Sequence, residues 1–231
     1  MNVETILKEF KQLGNPANVE GMRRFGIYAP KVYGVPMPEL RRIARSIGKD
    51  HRLAQQLWNS GAHEARIVAS LIDDPHKVSD LQMERWARKF NNWAVCDACC
   101  CNLFDKTDFA YKKAVAWTSR SEEFVKRAGF TLMAALAVHD KTAPDSAFLT
   151  FLPLLQRESM DERNFVRKAV NWALRQIGKR NPDLNRAAIR SAEAIQKIDS
   201  KAARWIAADA LRELTSPATQ KRLKNRPAKS Q

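Results

Sequence analysis

The chain has 231 residues, of which 45% are hydrophobic and 28% charged, a balance that excludes a wholly disordered or collagen-like protein. Glycine is scarce, at 8 residues, which argues against β-sandwiches and barrels because those folds use glycine in many turns. The longest uncharged apolar stretch, 128–138, has 11 residues, whereas a membrane span needs roughly 18 or more. We therefore expect a globular protein that does not span or bind a membrane.

The charge balance points to a polyanionic partner. Lysine and arginine number 40 against 25 acids, which gives a net charge of +15 and a pI near 10.0. Residues 215–231 carry five cations and no acid, so a net charge of +10 remains in the rest of the chain. Such an excess is typical of proteins that bind nucleic acid or an acidic membrane face. The alternative is a basic globular protein with a basic tail.

The hydrophobic periodicity predicts helices along the whole chain and no strand, so the expected fold class is all-α. The breaks between helices carry Gly, Asn, Asp and Pro, as in Asn181-Pro182-Asp183. In chain order, the predicted helices are 2–13, 17–27, 38–48, 50–59, 62–73, 79–90, 92–104, 108–118, 122–138, 144–156, 161–179, 183–196 and 200–214.

A basic residue recurs at one register of four predicted helices. These residues are Arg66, Arg127, Lys168 and Arg204, with spacings of 61, 41 and 36 residues. Helix pairs that recur at roughly 30–45 residues are typical of HEAT-like α-solenoids. We therefore predict a single HEAT-like repeat domain over residues 1–214, in which these cations line a concave surface. A basic, disordered tail is predicted over 215–231.

The predicted helix 161–179 combines an apolar stripe with a basic face that carries an indole. At about 100° per residue, the core stripe consists of Val166, Ala169, Val170, Ala173, Leu174 and Ile177. Lys168, Arg175 and Lys179 cluster on the opposite side, and Trp172 lies beside them with Phe165. A flat ring flanked by cations is typical of a nucleic-acid surface. The alternative is that Trp172 packs against a neighbouring repeat.

An acid and a tryptophan share one face of the predicted helix 92–104. Trp93 and Asp97 are four residues apart and are therefore neighbours on a helix. Apolar residues cover most of the other positions, and a carboxylate beside them is costly unless it is paired or faces a cleft. Asp97 is thus either a salt-bridge partner or an anion held for a cationic substrate or transition state. Arg127, on an almost apolar helix, needs an anion in turn, either Asp97 or a phosphate.

The cysteines do not form a disulfide framework. All four lie within six positions, at Cys96, Cys99, Cys100 and Cys101, which indicates a reducing cytoplasm, and the N-terminus does not have the pattern of a signal peptide. The Cys-x-x-Cys spacing is half of a zinc site, but no second pair completes it, so we interpret the thiols as core residues and predict no metal. No nucleotide-binding or zinc-protease motif occurs, and no cofactor is expected.

Taken together, these segments resemble the bacterial alkylpurine DNA glycosylases of the AlkD type, which are built from HEAT-like repeats. Trp93 and Asp97 fit the family's Trp-x-x-x-Asp, and Arg127 fits its Arg-Ala position. Residues 168–175 fit its Lys-Ala-x-x-Trp-x-Leu-Arg, and residues 34–41 are similar to its Gly-aliphatic-x-x-Pro-x-x-Arg. The residues that flank Trp93 depart from the best-known pattern, because Asn92 and Ala94 stand where an aromatic residue and an acid are usual.

The resemblance implies a DNA repair enzyme that hydrolyses the N-glycosidic bond of cationic alkylated purines, such as N3-alkyladenine and N7-alkylguanine, in duplex DNA. It implies a monomer that needs no cofactor and does not flip the base. Asp97 would stabilise the oxocarbenium ion and position water, Trp93 and Trp172 would flank the lesioned nucleotide, and Arg127 would grip phosphate. The expected contacts to the DNA backbone are Arg175, Lys168, Lys179 and Arg41.

Two other functions remain open from the sequence. The first is a non-catalytic binder of damaged or branched DNA on the same fold, because some relatives lack the acid and do not excise bases. The second is a HEAT-like adaptor for an acidic protein, for which large exposed apolar patches are expected. The acid at Asp97 favours an enzyme over the first, and the basic face around Trp172 argues against the second.

Overall fold

Residues 1–225 are described by the computed structural model, and they form helices and turns with no strand among them. This confirms the all-α prediction. Among the helices of residues 1–225, none combines the length and the hydropathy that a membrane span requires. The chain folds into two compact units, Met1–Phe109 and a second that begins at Ala110.

The first unit is built around α5, which packs against α3, α4 and α7. Stacked indoles fill its core, with the ring centroids of Trp58 and Trp86 4.0 Å apart. Most of its helices begin at a side-chain cap of the kind that satisfies the first backbone N–H groups. The helices are α1 (Val3–Leu13), α2 (Pro16–Arg24), α3 (Met37–Ile47), α4 (His51–Asn59), α5 (His63–Ile72), α6 (Asp80–Ala87) and α7 (Trp93–Asn102).

The second unit is built around α12, which packs against α9, α13 and α14. The six residues predicted as the core stripe of this helix are all fully buried, which confirms the 3.6-residue periodicity. The helices are α8 (Ala110–Ala116), α9 (Glu123–His139), α10 (Asp145–Leu149), α11 (Leu152–Arg157), α12 (Asn164–Gly178), α13 (Pro182–Gln196), α14 (Lys201–Leu214) and α15 (Pro217–Lys224).

One predicted helix, 144–156, is two helices in the structure. The first, α10, is capped at its C-terminus by Thr150. The second, α11, has Pro153 in its first turn. Proline has no N–H to donate to the preceding turn and its ring clashes with that turn's carbonyl. The apolar periodicity runs through this break, which is why it does not reveal the boundary.

The prediction of a disordered tail is wrong for Pro217–Lys224, which form α15. Leu223 is 2% exposed. Gln220 Nε2 donates to the backbone oxygen of Leu214 at 2.6 Å and to Asn185 Oδ1 at 3.1 Å. A single buried leucine and these amide bonds attach a segment whose composition is otherwise polar. Residues 226–231 of the predicted tail lie outside the described part of the chain.

Leu223→Ala is expected to lower the free energy of unfolding by about 2 kcal/mol or more, since burial of a leucine is lost and a cavity is left. Urea unfolding measures this difference. Leu149→Ala, at a leucine that is 44% exposed, is the matched control and is expected to change stability by about 0.5 kcal/mol or less. Equal stability of the Leu223→Ala variant and the parent protein would show that α15 is not attached as described.

The four cations of the predicted register do not share one environment. Lys168 and Arg204 are exposed, but Arg127 is only 6% exposed. Arg66 lies over the ring of Trp58, with its Cζ 5.0 Å from the ring centroid. The prediction that all four line one basic surface is therefore wrong for Arg127, because a guanidinium can be buried against backbone carbonyls, while Arg66 is partly exposed.

Candidate functional site

The first helical residue of α7 is Trp93, and its placement depends on the residue before it. Asn92 is fully buried and caps the helix, because its Oδ1 accepts the Val95 N–H at 3.1 Å. Its Nδ2 donates to Asn91 Oδ1 at 2.9 Å and lies 3.5 Å from Nδ1 of His63. The departure from the family pattern at position 92 thus has a structural role, since Asn is among the best N-cap residues.

The ring of His63 next to this cap is neutral at physiological pH. Burial, with a smaller effect of the nearby Arg66 charge, lowers the pKa of His63 to about 4. A buried imidazole loses its charged form because the protein interior solvates it poorly. His63 therefore packs at the base of α7 and adds no charge there.

Trp93 and Asp97 lie one turn apart on a partly exposed face of α7, as predicted from their spacing. Val95 and Cys96, which lie between them in the chain, are fully buried. The Trp93 indole N–H donates to the backbone oxygen of Phe25 at 2.9 Å, which fixes the orientation of the ring. Because the single donor of the indole is used within the protein, the remaining exposed part of the ring is apolar and suited to a flat or C–H-rich partner.

Three of the four cysteines are core residues, as predicted. Cys96, Cys99 and Cys100 are fully buried, Cys101 is partly exposed, and none forms a disulfide. Burial raises the pKa of the Cys99 and Cys100 thiols well above the usual value. Within residues 1–225, no group of three His, Cys, Asp or Glu side chains is arranged to hold a metal ion.

Alkylation by iodoacetamide is expected to modify Cys101 first in the folded protein at neutral pH. The other thiols are buried, and those of Cys99 and Cys100 stay protonated because their pKa is raised, whereas the thiolate is the nucleophile. Mass spectrometry of the native and urea-unfolded protein measures this selectivity. Modification of Cys99 or Cys100 as fast as Cys101 in the folded state would contradict the burial of this helix face.

Arg41 lies on α3, at the edge of a basic groove in the first unit. A cavity of about 320 Å³ there is lined by Arg41, Arg45 and Lys49 together with Ala44, Gly48 and Leu71. Lys49 Nζ donates to the backbone oxygen of Asp73 at 2.7 Å, while Arg41 and Arg45 are exposed and have no acid partner in residues 1–225. Two unneutralised guanidinium groups are available here for an anion.

The loop before α3 is fixed by a buried acid. Glu64 Oε1 accepts the backbone N–H groups of Tyr33 at 2.9 Å and Gly34 at 2.7 Å. Gly34 has a φ of +76°, and a Cβ at this position would lie 2.3 Å from the backbone oxygen of Asn15. Glycine is therefore required at this turn, and the motif at residues 34–41 serves to direct α3 and Arg41.

In the second unit, Arg127 joins α9 to the start of α12. Its Nη1 donates to the backbone oxygen of Phe165 at 2.6 Å, and the ring of Phe165 lies 5.5 Å from that of Phe124. Trp172, two turns further along α12, is off the buried stripe and partly exposed, as predicted. Because Arg127 is buried, we infer that it orients α12 and its indole and is not an exposed phosphate ligand.

Three side-chain pairs connect α12 to α14, each between residues 38 positions apart, and we call them the α12–α14 ladder. The Arg167 Cζ lies 5.1 Å from the ring centroid of Trp205. Further along, Asn171 Nδ2 donates to Asp209 Oδ2 at 2.7 Å, and Arg175 Nη1 to Glu213 Oε2 at 2.6 Å. The side chains of this ladder therefore follow the repeat spacing of the sequence.

Two of the predicted DNA contacts are already paired with acids of this ladder. Arg175 also lies 3.5 Å from Asp209, and Lys179 Nζ is 2.5 Å from Glu213 Oε1. Burial opposes ionisation of Glu213, but the two cations outweigh it and lower the pKa of this carboxyl. Lys168, by contrast, is exposed and has no acid partner within residues 1–225. Asp209 and Glu213 were not predicted as site residues, because the 38-residue offset that pairs them with Asn171 and Arg175 becomes known only from the structure.

Comparison with known proteins agrees with this architecture. Two uncharacterized proteins, from Listeria innocua and Listeria monocytogenes, are 25% and 24% identical to this chain over 194 residues, which is 82% of this chain and 84% of each relative. A solved structure is described as a new family of proteins related to the HEAT-like repeat DNA glycosylases with affinity for branched DNA structures. It matches with a TM-score of 0.78 at 19% identity and covers 96% of both chains. The shared fold is thus the HEAT-like helical repeat, which confirms the predicted fold class.

The family is established by a match to a family model. A family model described as DNA alkylation repair enzyme covers residues 6–214, which includes α1 to α14 almost entirely and all of the predicted site residues. This agrees with the resemblance found in the sequence. The chain belongs to the DNA alkylation repair enzyme family.

Proposed function

We propose that this protein is a DNA glycosylase that hydrolyses the N-glycosidic bond of cationic alkylated purines in duplex DNA. The observation that carries the proposal is the pair Trp93 and Asp97, which share a partly exposed face of α7 in a member of a DNA alkylation repair family. A carboxylate is the group that such a reaction needs most. N3-alkyladenine and N7-alkylguanine are the expected lesions.

The chemistry follows from the charge of the substrate. A purine alkylated at N3 or N7 is already cationic, so it leaves as a neutral base and needs no general acid. As the glycosidic bond breaks, positive charge develops on the deoxyribose, and a carboxylate close to the sugar stabilises that oxocarbenium ion. We assign this role to Asp97, which also orients the attacking water. The water oxygen forms the new bond to C1′ and its proton is lost to solvent.

The exposed aromatic and basic residues are assigned to binding. The indole of Trp93 is anchored through its N–H to Phe25, so its ring can contact the sugar and the cationic base without reorienting. Trp172 is assigned the same kind of contact, and buried Arg127 is a positioning residue for the helix that carries it. The proposed contacts to the phosphodiester backbone are Lys168, Arg175, Lys179 and Arg41.

The experiment is a base-release assay on a duplex with a single N7-methylguanine. The protein in excess is incubated with this duplex, and free N7-methylguanine is quantified by chromatography against a protein-free sample. We expect release well above the spontaneous rate and without added metal. Release no faster than in the protein-free sample would overturn the proposal.

A second candidate is a binder of branched DNA without excision activity. It is favoured by the structural neighbour, which is described as having affinity for branched DNA structures. Binding to a four-way junction and to its linear arms, measured by anisotropy at two salt concentrations, tests it, since contacts to phosphates make affinity depend on salt. Preference for the junction together with no base release would establish this candidate in place of the first.

A further inference from the structure

Trp205 is an aromatic residue to which the proposed chemistry gives no role. It lies on α14 with 38% of its surface exposed. The guanidinium of Arg167 stacks over its ring at 5.1 Å, which holds the indole in place from the α12 side. By comparison, Trp117 of the same unit is 1% exposed. An oriented indole in a residue that keeps more than a third of its surface in water is available for contact with a flat partner.

The α12–α14 ladder shows that this position differs from its equivalents. In the other two pairs, the α14 partner is an acid, Asp209 or Glu213. Trp205 occupies the corresponding position in the first pair, so no acid neutralises Arg167. Within residues 1–225 this guanidinium has one hydrogen bond, from Nη2 to Asn164 Oδ1 at 3.3 Å, and its buried Nε has no hydrogen-bond partner. The first pair thus combines an exposed ring with an uncompensated positive charge.

A second cation lies one helical turn before Trp205. Lys201 is four residues before Trp205 on α14 and is exposed, with no acid partner in the described residues. Residues at this spacing are neighbours on a helix face. Two acids lie at this end of α14, and both have partners: Glu162 accepts the backbone N–H of Ala202 at 3.2 Å, and Asp199 pairs with Arg204 at 2.8 Å. A partly exposed indole with a guanidinium over its ring and a lysine one turn away on the same helix can bind one nucleotide, with its base stacked on the exposed part of the ring and its phosphates paired.

We propose that Trp205 is a stacking site for an unpaired nucleotide of DNA, whose phosphates contact Arg167 and Lys201. Bases within a duplex are covered by their neighbours, so only an unpaired base at a tail, gap or branch offers a face to an indole. The inference rests on the proposed function in one respect, namely that this protein binds DNA. It adds a site for unpaired strands that is distant in sequence from Trp93 and Asp97. The chemistry also differs, because this site stacks a base and cleaves no bond.

The test compares two DNA substrates, a blunt duplex and the same duplex with a short unpaired tail that carries 2-aminopurine. Anisotropy gives the affinities, and 2-aminopurine fluorescence reports stacking directly. We expect Trp205→Ala to weaken binding of the tailed DNA about fivefold or more, to leave the blunt duplex unchanged, and to abolish the fluorescence quenching. Trp205→Phe should retain most of the affinity, and Met160→Ala, at a residue 55% exposed, should have no effect.

The outcomes separate this inference from the proposed function. Unchanged affinity and quenching in Trp205→Ala, while the parent protein binds both substrates, would overturn the stacking site and leave the glycosylase proposal intact. An equal loss on the tailed and blunt DNA would also overturn it, because a site for unpaired bases cannot affect a duplex without them. If the parent protein binds neither DNA, both proposals fail together.

Discussion

Asp97→Asn is expected to lower the rate of base release from an N7-methylguanine duplex by about a hundredfold or more, which is the usual cost of removing one group that stabilises charge in a transition state. The amide keeps the shape of the side chain and removes only its negative charge. DNA affinity should stay the same or increase, because one acid that repels phosphates is gone. Single-turnover release and anisotropy on the same duplex measure both quantities.

The matched control is Asp108→Asn. Asp108 is an exposed acid of the same unit with no partner in residues 1–225, so the change in net charge is identical. We expect base release by this variant to equal that of the parent protein. Asp97→Asn with normal thermal stability and unaltered release would remove the catalytic role of this carboxylate. Equal losses in both variants would instead assign the effect to net charge.

Glu213→Gln is expected to strengthen DNA binding and to make it more dependent on salt. Glu213 is the shared counter-ion of Arg175 and Lys179. Its pKa is lowered despite its partial burial, so it is ionised at neutral pH and competes with phosphate for both cations. Each additional phosphate contact makes the slope of log affinity against log salt more negative by about 0.9. Release of Lys179 therefore predicts a change of about one unit, and release of Arg175, which still lies 3.5 Å from Asp209, would bring it to at most about two.

Glu193→Gln provides the control for this prediction. Glu193 is a residue of α13 with no cation partner in the described residues, and its neutralisation changes the net charge by the same amount. We expect its effect on affinity to be small and its effect on the salt slope to be absent. If the two variants behave alike, or if Glu213→Gln weakens binding, Arg175 and Lys179 do not contact DNA in the way proposed.

Those features that depend on local periodicity could be predicted from the sequence. The buried stripe of α12 follows from apolar residues at helical spacing, and the shared face of Trp93 and Asp97 follows from their separation of four residues. Both are properties of a single helix, so one sequence is sufficient to derive them. The placement of Trp172 off the buried stripe was predictable for the same reason.

The features that depend on contacts between helices could not be predicted in this way. The burial of Arg127 against Phe165 and the pairing of Arg175 with Glu213 join residues 38 positions apart. Charge alone assigns these arginines to phosphate, because an acid in a neighbouring repeat cannot be identified as a partner until the offset between the helices is known. The composition of the tail predicts disorder. The burial of Leu223 shows that very little apolar surface is enough to attach a short helix to the rest of the protein.

The most direct test of the mechanism compares two leaving groups at one position of the same duplex, cationic N7-methylguanine and neutral hypoxanthine. In the proposed mechanism the protein supplies a carboxylate for the sugar and no acid for the base, so only a base that is already cationic can depart. We expect enzyme-dependent release of N7-methylguanine and none of hypoxanthine under single-turnover conditions. Release of hypoxanthine at a comparable rate, or release of neither base, would contradict the mechanism.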